Sequence, residues 1–368
     1  MPDVLRASLR AMAPRLPPGF RIRNAQLSDI PAAASVARAC DLADIGEPEQ
    51  DEDWLHDDWT RPRSDPSTDV FLVESRGGSV VAFAYTWDEE RYVRFDSVGY
   101  VHPDHRGRGV GSVLVDAVER RALRDRASVP AGAAVRVLQS FDSDASGLRD
   151  PDASGARALF DARGYVPERE YLHMEVDVAS DFDAGSPPDG ITIRPRTAAD
   201  DRAIVEVMAD AFDDPWDYED ARQEFDRSRT HDPSLWLVAF EGDHPVGALF
   251  SYITHARGQI SAVGVRAPWR RRGIGLALVR AAFARLRDRG ISNVRLNVER
   301  DNASGATRLY ERAGMRLRRR WLVVSKTVVE ADEGVRPSDR GDPGHAGRSS
   351  RAAVTPDHAV TRRTDPRT

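Results

Sequence analysis

Two stretches of this sequence place glycines and arginines where a phosphate could be held. Arg270-Arg271-Arg272-Gly273-Ile274-Gly275 follows a β-like run, Ile260 to Val265, and opens an amphipathic run. Arg106-Gly107-Arg108-Gly109-Val110-Gly111 has the same setting, 164 residues earlier. Glycines at a strand-to-helix turn let the backbone come close to a ligand. The N–H groups that begin a helix, at the positive end of its dipole, bind phosphate oxygens. Arginines beside them add charge-assisted contacts. A single turn of this kind is weak evidence, since a plain strand–helix connection looks alike. Two copies, each followed at a similar distance by a second shared block, are much stronger.

The elements that must position these turns also come in two sets. PPGFRIRNAQLSDI from Pro17 matches PPDGITIRPRTAADD from Pro187, and each is a β-like run followed by an Asp suited to a helix start. DASGARALFDARGY (Asp152 to Tyr165) matches NASGATRLYERAGM (Asn302 to Met315), an offset of 150. Three matched blocks in one order point to a tandem duplication. In the second copy the pattern predicts strands at Ile191 on, Trp236–Phe240, Val246–Tyr252, Ile260–Val265 and Val294–Val298. Helices are predicted at Asp200–Phe212, Gly275–Arg289 and Ala303–Ala313. Early hairpins followed by strand–helix–strand–helix describe an α/β (α+β) fold, a mixed sheet flanked by helices, built twice. Residues 19–178 and 189–329 are the expected domains, joined by the Gly-, Pro- and Asp-rich stretch Ala179–Gly190. The segment 331–368 has no aromatic residue and is expected to be a disordered tail.

Composition narrows the classes. At 368 residues the chain can bury two cores. Its net charge of −6 argues against a nucleic-acid partner. No apolar run approaches the roughly 18 residues that span a bilayer, so no membrane partner is expected. Cys40 is the single cysteine, which excludes an internal disulfide and a cysteine-based zinc cluster. No metal is expected, and the expected compartment is cytoplasmic. Cys40 lies in an apolar-faced helix and reads as a buried structural residue.

The glycine–arginine turn after a strand resembles the signature of the GNAT superfamily of acyl-CoA-dependent N-acetyltransferases. The match covers Val101–Gly111 and Val265–Gly275, and the second block supplies Asn302, Tyr310 and Gly314. The resemblance spans roughly residues 19–178 and 189–329, two tandem GNAT-type sheets, as in the mycothiol synthase branch of the superfamily. It implies acetyl-CoA as cosubstrate. The pyrophosphate would sit on Arg270, Arg271, Arg272, Gly273, Ile274 and Gly275, with Asn302 nearby. The pantetheine arm would pair with Val263, Gly264 and Val265, and the acetyl oxygen would accept a backbone N–H there. In the first copy Arg106, Gly107, Arg108, Gly109, Val110 and Gly111 would form the equivalent turn.

An amine must lose a proton to attack a thioester, and the departing thiolate must gain one. A phenol, with pKa near 10, can protonate a thiolate whose thiol has pKa near 8.5. Tyr310 occupies the family's acid position. The matched residue in the first copy is Phe160, which has no proton to give, and Asp152 replaces Asn302. The first copy is therefore expected to be catalytically degenerate. The base stays open. Arg295, Asn297 and Glu299 alternate on one strand face. Asn297 stands where some members have Glu, and Gln259 where the mycothiol synthase branch has an acidic residue. Glu299, His255 and a water relay remain.

The segment after each first helix is acidic. Asp41–Asp58 holds nine acids and Trp54, and Asp210–Asp226 holds eight acids with Trp216 and Tyr218. Such a region can attract a cationic amine or can be a solvated face. The expected reaction is direct transfer of an acetyl group to a primary amine of a small molecule, with Tyr310 as acid. The rival readings are an acyl-CoA-binding regulatory module without turnover and a protein N-terminal or lysine acetyltransferase. The chain is expected to be a monomer or dimer.

Overall fold

The computed structural model describes residues 16–61, 63–89, 92–145, 155–179, 181–213, 232–302 and 304–330. The tail, Asp152 and nearly all of the second acidic segment lie outside the described residues. In chain order the first elements are β1 (Phe20–Asn24), α1 (Ile30–Asp44), α2 (Glu52–Trp59), α3 (Pro66–Asp69), β2 (Val70–Ser75), β3 (Val80–Asp88), β4 (Arg94–Val101), α4 (Val110–Arg124), β5 (Val135–Ala145), α5 (Ala156–Asp161) and β6 (Val166–Asp177). Then follow β7 (Ile191–Pro195), α6 (Asp201–Phe212), β8 (Leu237–Glu241), β9 (His244–Thr254), β10 (Arg257–Val265), α7 (Ile274–Asp288), β11 (Asn293–Glu299), α8 (Ala306–Arg312) and β12 (Arg316–Val329). Every strand and helix expected in the second copy is present. Their ends shift by at most three residues, as helix and strand termini commonly do.

The repeat holds at the level of local chemistry. The guanidinium of Arg23 clamps Asp29 at 2.7 and 2.8 Å, and Arg194 clamps Asp200 at the same distances. Each aspartate also accepts a backbone N–H at the helix entrance, from Gln26 or Thr197. Leu278, Val279, Ala282, Phe283 and Leu286 form one fully buried stripe on α7. That stripe packs on Val294, Leu296 and Val298 of β11, which alternate toward it.

The chain divides into two compact units, but not at the expected linker. The first unit takes the described residues up to Ser143, 155–168 and those from Leu322 onward. The second takes Asp144, Ala145 and the described residues between Arg169 and Trp321. Within the first, the strand order is β1-β2-β3-β4-β5 with the end of β12 beside β5. Within the second, it is β11-β10-β9-β8-β7 with the later part of β6 beside β11. The final strand of each sequence copy therefore completes the sheet of the other unit. The expected boundaries 19–178 and 189–329 assign 169–178 and 322–329 to the opposite units.

Side chains at the exchanged strand account for this choice. In the first unit Lys326 of β12, the chain's single lysine, donates to both carboxylate oxygens of Glu119 at 2.9 and 3.0 Å. Its Nζ lies 5.6 Å from the Tyr165 ring, and Gln139 is buried with them. The matched positions in the second unit are Val176, Phe283, Met315 and Leu296, all apolar and in one core. A strand presenting valine to Glu119 would leave a buried carboxylate without its countercharge. Lys326→Met should therefore destabilise the protein by about 2 kcal/mol, a fall in Tm of roughly 4–8 °C. Glu119→Leu combined with Lys326→Met should recover most of that fall. Scanning calorimetry of the two variants checks it; an unchanged Tm in Lys326→Met excludes this role.

Candidate active site

Both glycine–arginine turns adopt one backbone conformation. Gly109 and Gly273 stand just before α4 and α7 with φ of +80° and +85°. Two residues earlier, Gly107 has φ +70° and Arg271 φ +61°. The left-handed pair opens the chain so that consecutive N–H groups face outward. The N–H groups from Arg271 to Leu276, and from Gly107 to Ser112, have no acceptor among the described residues. The first helical bonds are Ala277 to Gly273 at 3.0 Å and Val113 to Gly109 at 3.3 Å. Six unpaired amides at a helix start can take the oxygens of a pyrophosphate. Arg271 is exposed, and Arg272 pairs with Glu241 on the surface.

The first arginine of each turn is used internally. Arg270 donates to Val265 O at 3.1 Å and Ala211 O at 2.8 Å. Arg106 donates to Val101 O at 3.1 Å and grips Asp44 at 2.6 and 2.7 Å. These bonds tie the strand end and the preceding helix to the turn. Gly275 also serves packing, since a Cβ there would lie 2.8 Å from Leu309 of α8. The side chain of Asn302 is likewise turned inward, accepting from Ser304 N at 2.8 Å and from Ser304 Oγ in the loop that starts α8.

The two central strands of the second unit part company. β10 pairs in parallel with β11 at Gly258↔Val294 and Gln259↔Arg295. A bulge between Ile260 and Ala262 then bends β10. Val263, Gly264 and Val265 keep their partners Leu249, Ala248 and Gly247 on β9, while their other edge faces the opening toward β11. Gly264 is required because α6 lies flush on it: a Cβ would meet Met208 Sδ at 2.6 Å and Ala211 Cβ at 2.9 Å. Tyr310, on α8 after β11, is buried in the core cluster with Leu309, Ala313 and Met315. Burial pushes its phenol up to about 12. The proton therefore stays on Tyr310 throughout the neutral and mildly alkaline range.

On the opposite face of the sheet β6 and β11 carry a row of polar pairs. Arg295 lies across from Glu175, Asn297 from His173 and Glu299 from Tyr171. His173 Nδ1 is 2.8 Å from Asn297 Oδ1. Glu299 Oε2 is buried with no hydrogen-bond partner, an acceptor lacking a donor. Gln259 is buried beside Arg295. His255 is elsewhere. It shares with Ala256 a two-residue turn at positive φ (47° and 57°) at the start of β10. At about 3.3 Å per residue, that turn lies roughly 25 Å along the strand from Val263. His173 and Tyr171 were not among the sequence candidates, because their strand belongs to the first sequence copy.

The first unit keeps the turn and loses the rest. β4 and β5 separate after Ser97↔Gln139, and no bulge interrupts the β3–β4 register. Phe160 is buried between Phe141 and Tyr165, at centroid distances of 5.6 and 5.3 Å. Tyr100 stands where the second unit has Gly264, stacked on Phe83 at 5.0 Å. The first acidic segment is consumed by structure. Asp41 accepts from Glu49 N and Gln50 N, Asp51 caps α2, and Asp58 accepts from Tyr85 and Arg61. Trp54 and Trp59 are core residues. Cys40 is buried as expected, donates to Val101 O at 3.2 Å, and is pushed up to about 12 by burial.

The sequence matches the model of the acetyltransferase (GNAT) family over residues 36–136 and again over 202–315. A mycothiol acetyltransferase from Saccharopolyspora erythraea is 31% identical over 261 residues, covering 67% of this chain and 82% of that protein. A solved GCN5-related N-acetyltransferase from Sphaerobacter thermophilus is 34% identical, with a TM-score of 0.73 over 86% of this chain and 98% of that one. A tandem GNAT protein from the clavulanic acid biosynthesis pathway shares the fold at 15% identity, with a TM-score of 0.66, covering 85% of this chain and all of that one.

Proposed function

Because this chain belongs to the acetyltransferase (GNAT) family, we propose that its second unit moves the acetyl group of acetyl-CoA to a primary amine of a small molecule. The observation that carries the reading is the parting of β10 and β11, with the unpaired amide turn after β10, Glu299 at the end of β11 and Tyr310 on the helix that follows. Arg271 to Leu276 fit a pyrophosphate through their N–H groups. The outward edge of Val263, Gly264 and Val265 fits an extended amide-bearing arm. The thioester supplies an activated acetyl carbon. Glu299 accepts a proton from the ammonium, directly or through water. The amine nitrogen then bonds the acetyl carbon, the carbon–sulfur bond breaks, Tyr310 protonates the departing sulfur, and the second proton of the nitrogen, shed as the amide forms, restores the Tyr310 phenol.

A phenol near 12 is a weak acid for a free thiolate, but a thiolate leaving into the same buried setting is desolvated and more basic. The Arg–Gly turn of the first unit supports acetyl-CoA binding there without turnover, since Phe160 cannot act as the acid. The relatives called mycothiol acetyltransferases favour a small-molecule acceptor over a protein one.

Thiol release from acetyl-CoA, followed across a panel of amines, tests the reading. Turnover should appear with small amines. With Tyr310 near 12, kcat/KM should rise as the amine deprotonates and stay level to pH 10. A fall centred between pH 8 and 10 would assign the acid to another group. Release confined to peptide amines would move the acceptor to protein.

A further inference from the structure

Resting on that reading, we infer that the acceptor carries a hydrogen-bond-accepting oxygen, hydroxyl or carbonyl, on the carbon adjacent to the one that bears its amine, and that Asn297 and His173 select it. The argument starts from the pairing of β6 with β11. Leu172, Met174 and Val176 of β6 pack into the α7 core, as do Val294, Leu296 and Val298 of β11. Strand alternation therefore sends His173, Asn297 and Glu299 to the other face.

An amide oxygen only accepts, so the 2.8 Å contact makes His173 Nδ1–H the donor to Asn297 Oδ1. This fixes the amide by its oxygen. Its Nδ2 group, two N–H donors, has no partner among the described residues. Asn297 and Glu299 are two residues apart on one face, about 6.6 Å along the strand. The row thus offers donors at Asn297 and a carboxylate at Glu299. Arg295, next in the row, is occupied by Asn293 at 3.0 Å and faces Glu175. An amine seated at Glu299 places its neighbouring substituent toward Asn297. A plain alkyl group there leaves the amide donors without an acceptor, which a polar site penalises strongly. Asn297 touches the acceptor on this account, and His173 is a positioning residue that acts through it.

The test uses the full-length enzyme and the ratio of kcat/KM between two amine classes. Ethanolamine and glucosamine are compared with propylamine and cyclohexylamine, each counted as free base. The oxygen-bearing amines should be preferred at least tenfold. Asn297→Asp keeps the shape but cannot donate when ionised, and His173→Phe cannot hold the amide; in both, the ratio should collapse toward one. His173→Gln can donate from its own amide and should restore most of the preference. Acetyl-CoA affinity by calorimetry identifies variants that remain folded, and Asn297→Asp decides the matter if His173→Phe does not fold. Equal turnover of both classes in the wild type, or a preference that survives Asn297→Asp, overturns the inference alone. No turnover with any amine overturns the proposed acetyl transfer and this inference with it.

Discussion

Replacing Tyr310 with Phe should lower single-turnover acetyl transfer by about 10²–10⁴, the usual size of a general-acid effect. Only a hydroxyl is lost, and its ring remains in the core cluster with Leu309, Ala313 and Met315. No hydrogen bond to that hydroxyl is formed among the described residues, so removing it strands no buried partner. The fold and acetyl-CoA affinity should therefore change little, which separates a chemical loss from a structural one. Single-turnover measurement matters because product release can mask a slower chemical step. Phe160→Tyr in the first unit should not create activity. That site lacks the bulge of β10, and Tyr100 fills the position of Gly264. Full single-turnover activity in Tyr310→Phe would remove Tyr310 from the reaction.

The parts of this site that depend on short local sequence were readable in advance. A glycine needed at positive φ, or an aromatic at a fixed distance into a helix, leaves its mark within a few residues. The turns at Gly109 and Gly273 and the contrast of Tyr310 with Phe160 are of that kind. The exchanged strands are not. YLHMEVD and WLVVSKTVV both read as strands, but which sheet each joins is decided by partners far away in sequence, such as Glu119 for Lys326. His173 was missed for the same reason, since 124 residues separate it from Asn297. The bulge after Ile260 is also silent in the hydrophobic pattern, because both residues beside it are apolar and buried. Asn302 and Arg270 show the opposite case. Their positions were legible, but the structure spends their side chains on the loop and on two backbone carbonyls. Gly264 and Gly275 make close helix packing possible, a requirement that a glycine in sequence does not distinguish from ligand approach.

Gly273→Asp should weaken acetyl-CoA binding by the second unit at least tenfold, about 1.4 kcal/mol. Two effects combine at this position. The residue has φ +85°, where an L side chain is strained by about 1–2 kcal/mol. The site also begins α7, where the amides of Arg271 to Leu276 converge, and a carboxylate there would occupy the helix dipole and repel a pyrophosphate. Steric clash is a minor part, since a Cβ would only touch Pro188 Cγ at 3.5 Å. Gly273→Ala separates the contributions. It carries the strain without the charge, so it should lower Tm while leaving most of the affinity. Gly109→Asp applies the same change to the first unit. Calorimetric titration of the full-length protein should then show fewer acetyl-CoA molecules bound while turnover persists. In Gly273→Asp turnover should fall with affinity. Unchanged affinity and turnover in Gly273→Asp would exclude this turn as the phosphate site, and turnover lost in Gly109→Asp instead would assign the reaction to the first unit.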